Sequence, residues 1–432
     1  MTQKHDFFLF IIKCLETLSV IISKHFKIAA LFNQTLQNRL RFESQELQES
    51  FYKENKCASF AFEVSSEGEL EQIKPLLIDL LKDNKLIELI YSSNSVEKNC
   101  KLLAGTYRNL RIRPIYLINK SSQFRLSKWV TSSVVIFCRY DFYPELLLLK
   151  KNRTFILLAG SLKNKDLNKK FNFYSYFLKN VYSLFDLIIT VTDLEKRKFQ
   201  NFFPNKEILT YDFRHKRIIN RITKHKELTE TLNNLKNCQN QNRIILGSYW
   251  ESSFFLFDNE LFKSFIEKER PLIFIAPHLL NESNLMKIKK SFDKFSPVII
   301  NNIEEFKNTS FSDGVFIINI SGILCELYSY FNIAYIDGGF GRSIHSVLEP
   351  FWANCNIITG PKTHRSSEYD FIVEKDSDRV FKIVKPCEFT EILLKLKKNE
   401  HKNNVSRFSI GEDILKQYNS IYKRFIDFEV IK

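Results

Sequence analysis

NIAYIDGGFGRSIHSVLEPFWANCNIITGP, residues Asn332–Pro361, reads as an apolar segment, a glycine loop, a helix and a second apolar segment closed by Gly360-Pro361. Asn332–Ile336 is short, β-branched and aromatic, the character of a buried parallel strand. Gly338, Gly339 and Gly341 follow at once and let the backbone take positive φ or approach a ligand closely. Ser346 with Glu349 three residues on forms a capping-box pattern, which predicts a helix starting there. A strand feeding a glycine loop and then a helix N-terminus makes a phosphate site, because free N–H groups and the helix dipole face the anion. A plain strand-turn-helix connection uses the same residues, so the glycines alone do not choose between the two.

The same alternation extends outward in both directions. Arg243–Leu246, Leu272–Ala276, Pro297–Ile300, Val315–Ile318, Ile333–Ile336 and Asn356–Thr359 are the expected strands of one domain (243–400). Ser59–Val64, Leu86–Ile90, Arg113–Leu117, Ser133–Phe137, Phe155–Leu158 and Leu187–Val191 are those of another (43–215), with helical stretches such as Glu69–Leu81 and Phe173–Leu184 between them. Strands alternating with helices imply parallel sheets covered on both faces. Residues 216–242 are polar and rich in Asn and Lys and read as a linker, and Glu412–Phe428 reads as a helix within a closing segment, 401–432. The expected fold is α/β, two Rossmann-like domains facing a cleft, with ligands beyond the carboxyl ends of the strands.

The chain has 432 residues and a formal net charge of +15, enough length for two cores and a bias toward anionic partners such as nucleic acid, an acidic membrane face or phosphorylated substrates. The positive charge is spread along the chain, as a Lys-rich solvated surface would also give. The eight cysteines show no CxxC pair and no metal-ligand spacing, which points to a reducing compartment and no structural metal. Phe7–Ile22 is shorter than the ~20 apolar residues a membrane span needs. Lys13 and Glu16 would each cost about 2.5–3.5 kcal/mol near a bilayer centre. Phe8, Ile11, Leu15, Leu18 and Ile22 share one helical face, and Lys24, His25, Lys27, Arg39 and Arg41 follow. Residues 1–42 therefore read as a helix lying on an anionic membrane surface, with a helix packed on its own domain as the alternative.

Gly338-Gly339-Phe340, His345, Leu348-Glu349-Pro350 and Gly360-Pro361 together resemble the Kdo transferase family, the 3-deoxy-manno-octulosonic acid transferases of lipopolysaccharide synthesis. In that family this region holds the CMP part of the donor, CMP-Kdo, and the two-domain architecture is GT-B. The resemblance extends to Ser65-Ser66-Glu67-Gly68-Glu69, which matches the Ser-x-Gly-Glu motif at Ser66, Gly68 and Glu69. It implies that Glu69 is the general base, a role the chemistry requires because an attacking sugar hydroxyl must lose its proton. Glu67 is the rival base, and a first-turn acid meeting the helix dipole is the alternative for Glu69. The family usually carries a histidine where Glu63 stands.

Asp141-Phe142-Tyr143-Pro144-Glu145-Leu146 looks like the family's Glu-x-Trp-Pro-x-Leu motif, which gives Asp141 an acceptor-side role or, alternatively, a helix cap. Ala159–Lys163 falls on an Arg-Leu-Ser run, with Ser161 in place of the arginine and Lys163 in place of the serine. Gly247-Ser248-Tyr249-Trp250-Glu251 and Ala276-Pro277-His278 resemble two further motifs, so Ser248 and His278 are expected on the donor phosphate or base. Gly338, Gly339, Arg342, His345 and the amides after Ser346 are expected to neutralise the phosphate. Glu349 is similar to the ribose-binding acid of the family, and Glu368 occupies the place of a second glutamate.

What the resemblance implies is an inverting, metal-independent transferase at the cytoplasmic side of the cell inner membrane. It would move Kdo from CMP-Kdo to a lipid A precursor, with no metal and no cofactor beyond the donor substrate. The alternatives are a GT-B glycosyltransferase with another nucleotide-sugar and acceptor, or a non-catalytic glycolipid-binding relative. No basic helix or aromatic stacking motif marks a nucleic-acid partner.

Overall fold

Two all-parallel sheets organise the computed structural model, which describes residues 3–44, 48–120, 125–139, 141–162, 173–224, 232–236, 238, 242–341, 343–364, 366–398 and 407–430. The first sheet holds β1 (Phe60–Val64), β2 (Ile87–Tyr91), β3 (Leu110–Pro114), β4 (Val134–Cys138), β5 (Thr154–Gly160), β6 (Leu187–Thr190) and β7 (Glu207–Thr210). Their spatial order is β3-β2-β1-β4-β5-β6-β7. The second sheet holds β8 (Arg243–Tyr249), β9 (Leu272–Pro277), β10 (Val298–Ile300), β11 (Gly314–Ile318), β12 (Ile333–Ile336), β13 (Asn356–Thr359) and β14 (Val380–Lys382), in the order β10-β11-β9-β8-β12-β13-β14. The first order reverses direction between β1 and β4, and the second between β8 and β12, with β10 outside β11 at its far edge. At such a reversal the connections leave to opposite sides and open a crevice at the carboxyl ends of the strands.

The central strands are mostly apolar because helices cover both faces: β1, β2, β4 and β5 are buried at every position, Glu63 and Glu88 included. The edge strands differ, and sequence reading went astray there. β7 and β14 were not anticipated, since both are short, mostly half-buried and present no continuous apolar run. β3 lies three residues earlier than expected, over Leu110-Arg111-Ile112-Arg113-Pro114, where the alternating arginines mask the strand. Arg113 is nevertheless buried, its guanidinium set over the rings of Tyr116 and Trp129.

The chain divides into two units, Met1–Arg214 with Lys416–Lys432, and His215–Leu415. The expected linker, 216–242, is corrected in part: it contains most of the helix Phe213–Lys224, whose Ile218 is buried in the second unit's core with Ile222 packed beside it. Ile218 and Ile222, four apart, anchor one face of a helix rich in lysine and arginine. The C-terminal helix Phe408–Val430 returns the chain to the first unit, where Phe425 packs on Phe60 of β1 and Tyr418 donates to Asp79 at 2.7 Å.

The helix Gln3–Ala29 divides the expected apolar stripe between two faces. Phe8 and Ile12 are buried in the first unit's core, and Glu16 on the same side pairs with Lys120. The opposite face leaves Phe7, Phe10, Leu18, Ile21 and Ile28 exposed, with Lys13 and Lys24 exposed alongside. Among the described residues no helix is long and apolar enough to cross a membrane. All eight cysteines are free.

Candidate active site

In the first unit the reversal between β1 and β4 gathers the acids that the two N-terminal motifs supply. β1 ends in Glu63-Val64, and the helix Glu67–Lys82 starts three residues later under an N-cap from Ser66, whose hydroxyl accepts the Glu69 N–H at 3.4 Å. Glu69 is 3 % exposed and its Oε2 accepts the Ser65 N–H at 2.6 Å. It is thus a helix-terminal acid and a desolvated one at once. Burial holds its carboxyl above the ordinary value, the nearby Asp141 charge adds to this, and Arg139 opposes it. Glu67, the rival base, is exposed and receives the Asn99 amide at 3.1 Å. Gly68 is exposed, and a Cβ there would meet nothing within 4 Å.

Glu63 lies deeper, 1 % exposed, with Oε1 accepting from the Ser65 hydroxyl at 2.8 Å and Oε2 buried without a hydrogen-bond partner. Burial pushes its carboxyl well above the usual range, and Glu69 and Asp141 push the same way. Ser65 therefore holds one carboxyl through its hydroxyl and the other through its peptide N–H. Asp141, half-buried after β4, makes no helix cap: the helix Pro144–Leu147 starts at Tyr143 with no side-chain hydrogen bond. The Tyr143 phenol is tied to Ser65 and Ser92, and Arg139 donates to Gln72 at 3.2 Å from a backbone with φ of 66°. Ser161 is exposed at the end of β5, and Lys163 lies outside the described residues.

In the second unit the reversal between β8 and β12 collects aromatic rings instead. A bulge after Leu246 leaves Ser248 at φ 52°, a strained angle for a residue with a side chain, and carries the chain to Trp250. The Trp250 indole N–H donates to His345 Nε2 at 2.6 Å, and the two ring planes differ by 8°. His278, exposed after β9, stacks 4.3 Å from Trp250 and 4.5 Å from His345 between centroids. Beneath them Asp337, buried at the end of β12, accepts the Trp250 peptide N–H at 2.7 Å and the Gly338 N–H. Neither Trp250 nor Asp337 was singled out from sequence, although Trp250 stands inside a quoted motif and Asp337 sits directly between strand and glycines.

The glycines meet backbone. Gly338 has φ of 105°, and a Cβ there would come within 2.5 Å of the Ser343 carbonyl oxygen. A Cβ on Gly339 would come within 2.6 Å of Gly360 Cα, so the two loops of the opening stretch touch chain to chain. The expected helix start at Ser346 is corrected. The helix spans only Leu348–Trp352, Val347 precedes it without a side-chain cap, and Ser346 is exposed. The reason is Glu368, whose Oε2 accepts the Val347 N–H at 3.0 Å and so takes an amide expected to face phosphate. Glu349, freed from capping, faces Arg217 at 3.7 Å. Burial raises its carboxyl, and Arg217 and Arg221 pull it back. Arg221 itself grips Glu326 through two bonds of 2.7 and 2.6 Å. Arg342 lies outside the described residues. Among the described residues no group of three or more His, Cys, Asp or Glu side chains could hold a metal ion.

Residues 34–214 match the family model described as 3-deoxy-D-manno-octulosonic-acid transferase (kdotransferase). A curated 3-deoxy-D-manno-octulosonic acid transferase of Aquifex aeolicus (strain VF5) is 26% identical over 325 residues, covering 72% of this chain and 78% of that protein. Among solved structures, UDP-GlcNAc 2-epimerase from Methanocaldococcus jannaschii superposes with a TM-score of 0.53 at 14% identity, over 84% of this chain and 99% of that one. A glycosyltransferase from Rickettsia africae ESF-5 gives 0.52 at 11%, over 86% and 99%. At those identities the structural likeness speaks for the fold alone, the paired Rossmann-like units of GT-B enzymes. The family model spans the acid cluster of the first unit and the curated relative covers most of the chain, so over both units the chain is similar to Kdo transferases.

Proposed function

We propose that this chain belongs to the Kdo transferase family and transfers Kdo from CMP-Kdo to a hydroxyl of a lipid A precursor, with inversion and without a metal, at the cytoplasmic face of the inner membrane. The observation that carries the reading is Glu69, a desolvated carboxyl anchored by the Ser65 N–H at the strand-order reversal of the first unit. The acceptor hydroxyl oxygen forms the new bond to the anomeric carbon of Kdo. Its proton passes to Glu69, and the bond from that carbon to the CMP phosphate oxygen breaks. A carboxyl with raised proton affinity accepts such a proton more readily near neutrality than an ordinary glutamate. Ser66, Gly68 and Asp141 are assigned to the acceptor. Ser248, His278, Gly338, Gly339, Arg342, His345, Ser346, Glu349 and Glu368 are assigned to the donor, with Glu349 on the ribose hydroxyls.

The exposed row Phe7, Phe10, Leu18, Ile21 and Ile28, flanked by Lys13 and Lys24, supports attachment to an anionic membrane surface. Sedimentation with vesicles containing an anionic phospholipid tests this: Leu18→Asp with Ile21→Asp should lower the bound fraction, and an unchanged fraction removes the helix from membrane contact.

The activity is tested by incubation with CMP-Kdo and a tetra-acylated lipid A precursor, followed by mass spectrometry of the product. One specific observation favours a second reading, a different nucleotide-sugar donor: Ser161 is exposed where relatives place an arginine. Transfer from another nucleotide-sugar, with none from CMP-Kdo, decides for it. Neither transfer nor donor hydrolysis decides for a non-catalytic relative.

A further inference from the structure

Trp250 makes a contact that constrains the protonation of His345. An indole nitrogen carries a hydrogen and no lone pair in the ring plane, so it only donates. Its N–H reaches His345 Nε2 at 2.6 Å, and that nitrogen must accept. An imidazole has one accepting nitrogen when neutral and none when protonated. His345 is therefore neutral, with its proton on Nδ1. The ring geometry locks this arrangement: the indole and imidazole planes differ by 8°, and a hydrogen bond that short between parallel rings sets them edge to edge. His278 then lies across both, at 24° to Trp250 and 27° to His345. The His345 peptide N–H, bonded to the Asp337 carbonyl at 3.1 Å, fixes the backbone behind the ring. The Asp337 carboxyl takes the Trp250 peptide N–H, so both partners are held from the same residue.

We propose that Trp250 is a positioning residue that fixes His345 as the neutral Nδ1–H tautomer, so that the nucleotide phosphate meets a single neutral N–H donor and never an imidazolium. This rests on the reading that His345 faces the donor phosphate. His345 itself should then stay neutral through the range in which a free histidine titrates, around 6.5.

Trp250→Phe keeps a ring against His278 and removes the N–H, leaving His345 free to protonate. Charge-assisted hydrogen bonds are roughly twice as strong as neutral ones. The ratio of variant to wild-type CMP affinity at each pH cancels the titration of the CMP phosphate and of His278, and it should rise about three- to tenfold from pH 7.5 to pH 5.5. Adding His345→Gln to the variant should flatten that ratio again. The tautomer itself is read in the ligand-free full chain by long-range nitrogen–proton NMR on 15N-histidine-labelled protein, with the His345 signals identified by their loss in His345→Gln. Wild-type His345 should show Nδ1–H and no titration down to pH 5.5, and Trp250→Phe should restore titration. A wild-type His345 that protonates near the ordinary value overturns the proposal, as does a Trp250→Phe spectrum identical to wild type. If the NMR result holds but CMP does not bind, the assignment of the phosphate site fails and the tautomer lock stands.

Discussion

Glu69 and His345 stand at equivalent places, each just beyond the strand-order reversal of its own parallel sheet, yet their surroundings are opposite in kind. Around Glu69 the chain gathers a second buried carboxyl, Glu63, and a third acid, Asp141, with Arg139 the opposing charge. Around His345 it gathers aromatic rings and puts its buried acid, Asp337, underneath to hold peptide N–H groups. The difference fits the roles proposed for the two groups. A base gains proton affinity when burial and like charge make its anion less comfortable. A site for a phosphate loses affinity under the same conditions, so it uses donors and keeps carboxylates occupied elsewhere.

The largest effect that would break this contrast is on Glu69. Glu69→Gln should lower transfer by 10²–10⁴-fold, the usual contribution of a general base, while CMP affinity by calorimetry stays put. Retention of more than about a tenth of the wild-type rate would hand the role to Glu67 or another group. Because Glu69 sits above the ordinary carboxyl value, the acid limb of the wild-type rate profile should lie at higher pH than that of an exposed glutamate.

Next in size is Glu349, the acid that the second region does expose to a ligand under the proposed reading. Hydrogen bonds to a charged group are worth about 1.5–3 kcal/mol, so Glu349→Gln should weaken CMP roughly 10- to 100-fold. The pair with Arg217, at 3.7 Å and partly solvated, contributes little, and the melting temperature without ligand should barely move. Equal CMP binding by variant and wild type excludes the ribose role.

Glu63 sharpens the first region. Its folded carboxyl binds a proton more tightly than the unfolded one, so the wild type loses stability as pH rises above the unfolded value and loses none below it. Glu63→Gln removes that loss. The variant should melt a few degrees above wild type at neutral pH, and the gap should close as pH falls below about 4. A gap independent of pH would mean that Glu63 is not held protonated. The smallest effect is at Gly68, exposed and unhindered where Gly339 is locked against Gly360. Gly68→Ala should raise stability by up to about 0.5–1 kcal/mol and weaken the acceptor several-fold. An unchanged KM for the acceptor takes Gly68 out of the acceptor site.

Much of this was legible in the residues. The apolar runs of β1, β4, β8 and β12 are unmistakable because helices cover both faces, and the Ser66–Glu69 helix start is written in its side chains. The capping-box pattern at Ser346 and Glu349 was legible too, and misleading: Glu368 from another helix took the amide, and Glu349 turned to Arg217. Arg217 and Arg221 were hidden in a segment whose composition spoke of a linker, since a few scattered apolar residues such as Ile218, Ile222, Leu232 and Leu235 show its buried side. Edge strands escaped for a related reason, as they carry polar residues and are only partly buried.

By itself, the sequence determined what depends on near neighbours: the alternation of strands and helices, the glycines a tight loop requires, and the residue types at each motif. Periodicity and capping act over a few residues, so they can be read in one dimension. Only the tertiary structure decided which of those residues meet. The reversal of strand order brings Asp141 toward Glu63 and Glu69, and lays His278 across Trp250 and His345, over separations of 28 to 95 positions between stacked or bonded partners. Contacts of that range are set by how sheets fold back on themselves. The protonation of Glu63, Glu69 and His345 follows from those contacts, through the loss of water around a carboxyl in one region and one indole hydrogen in the other.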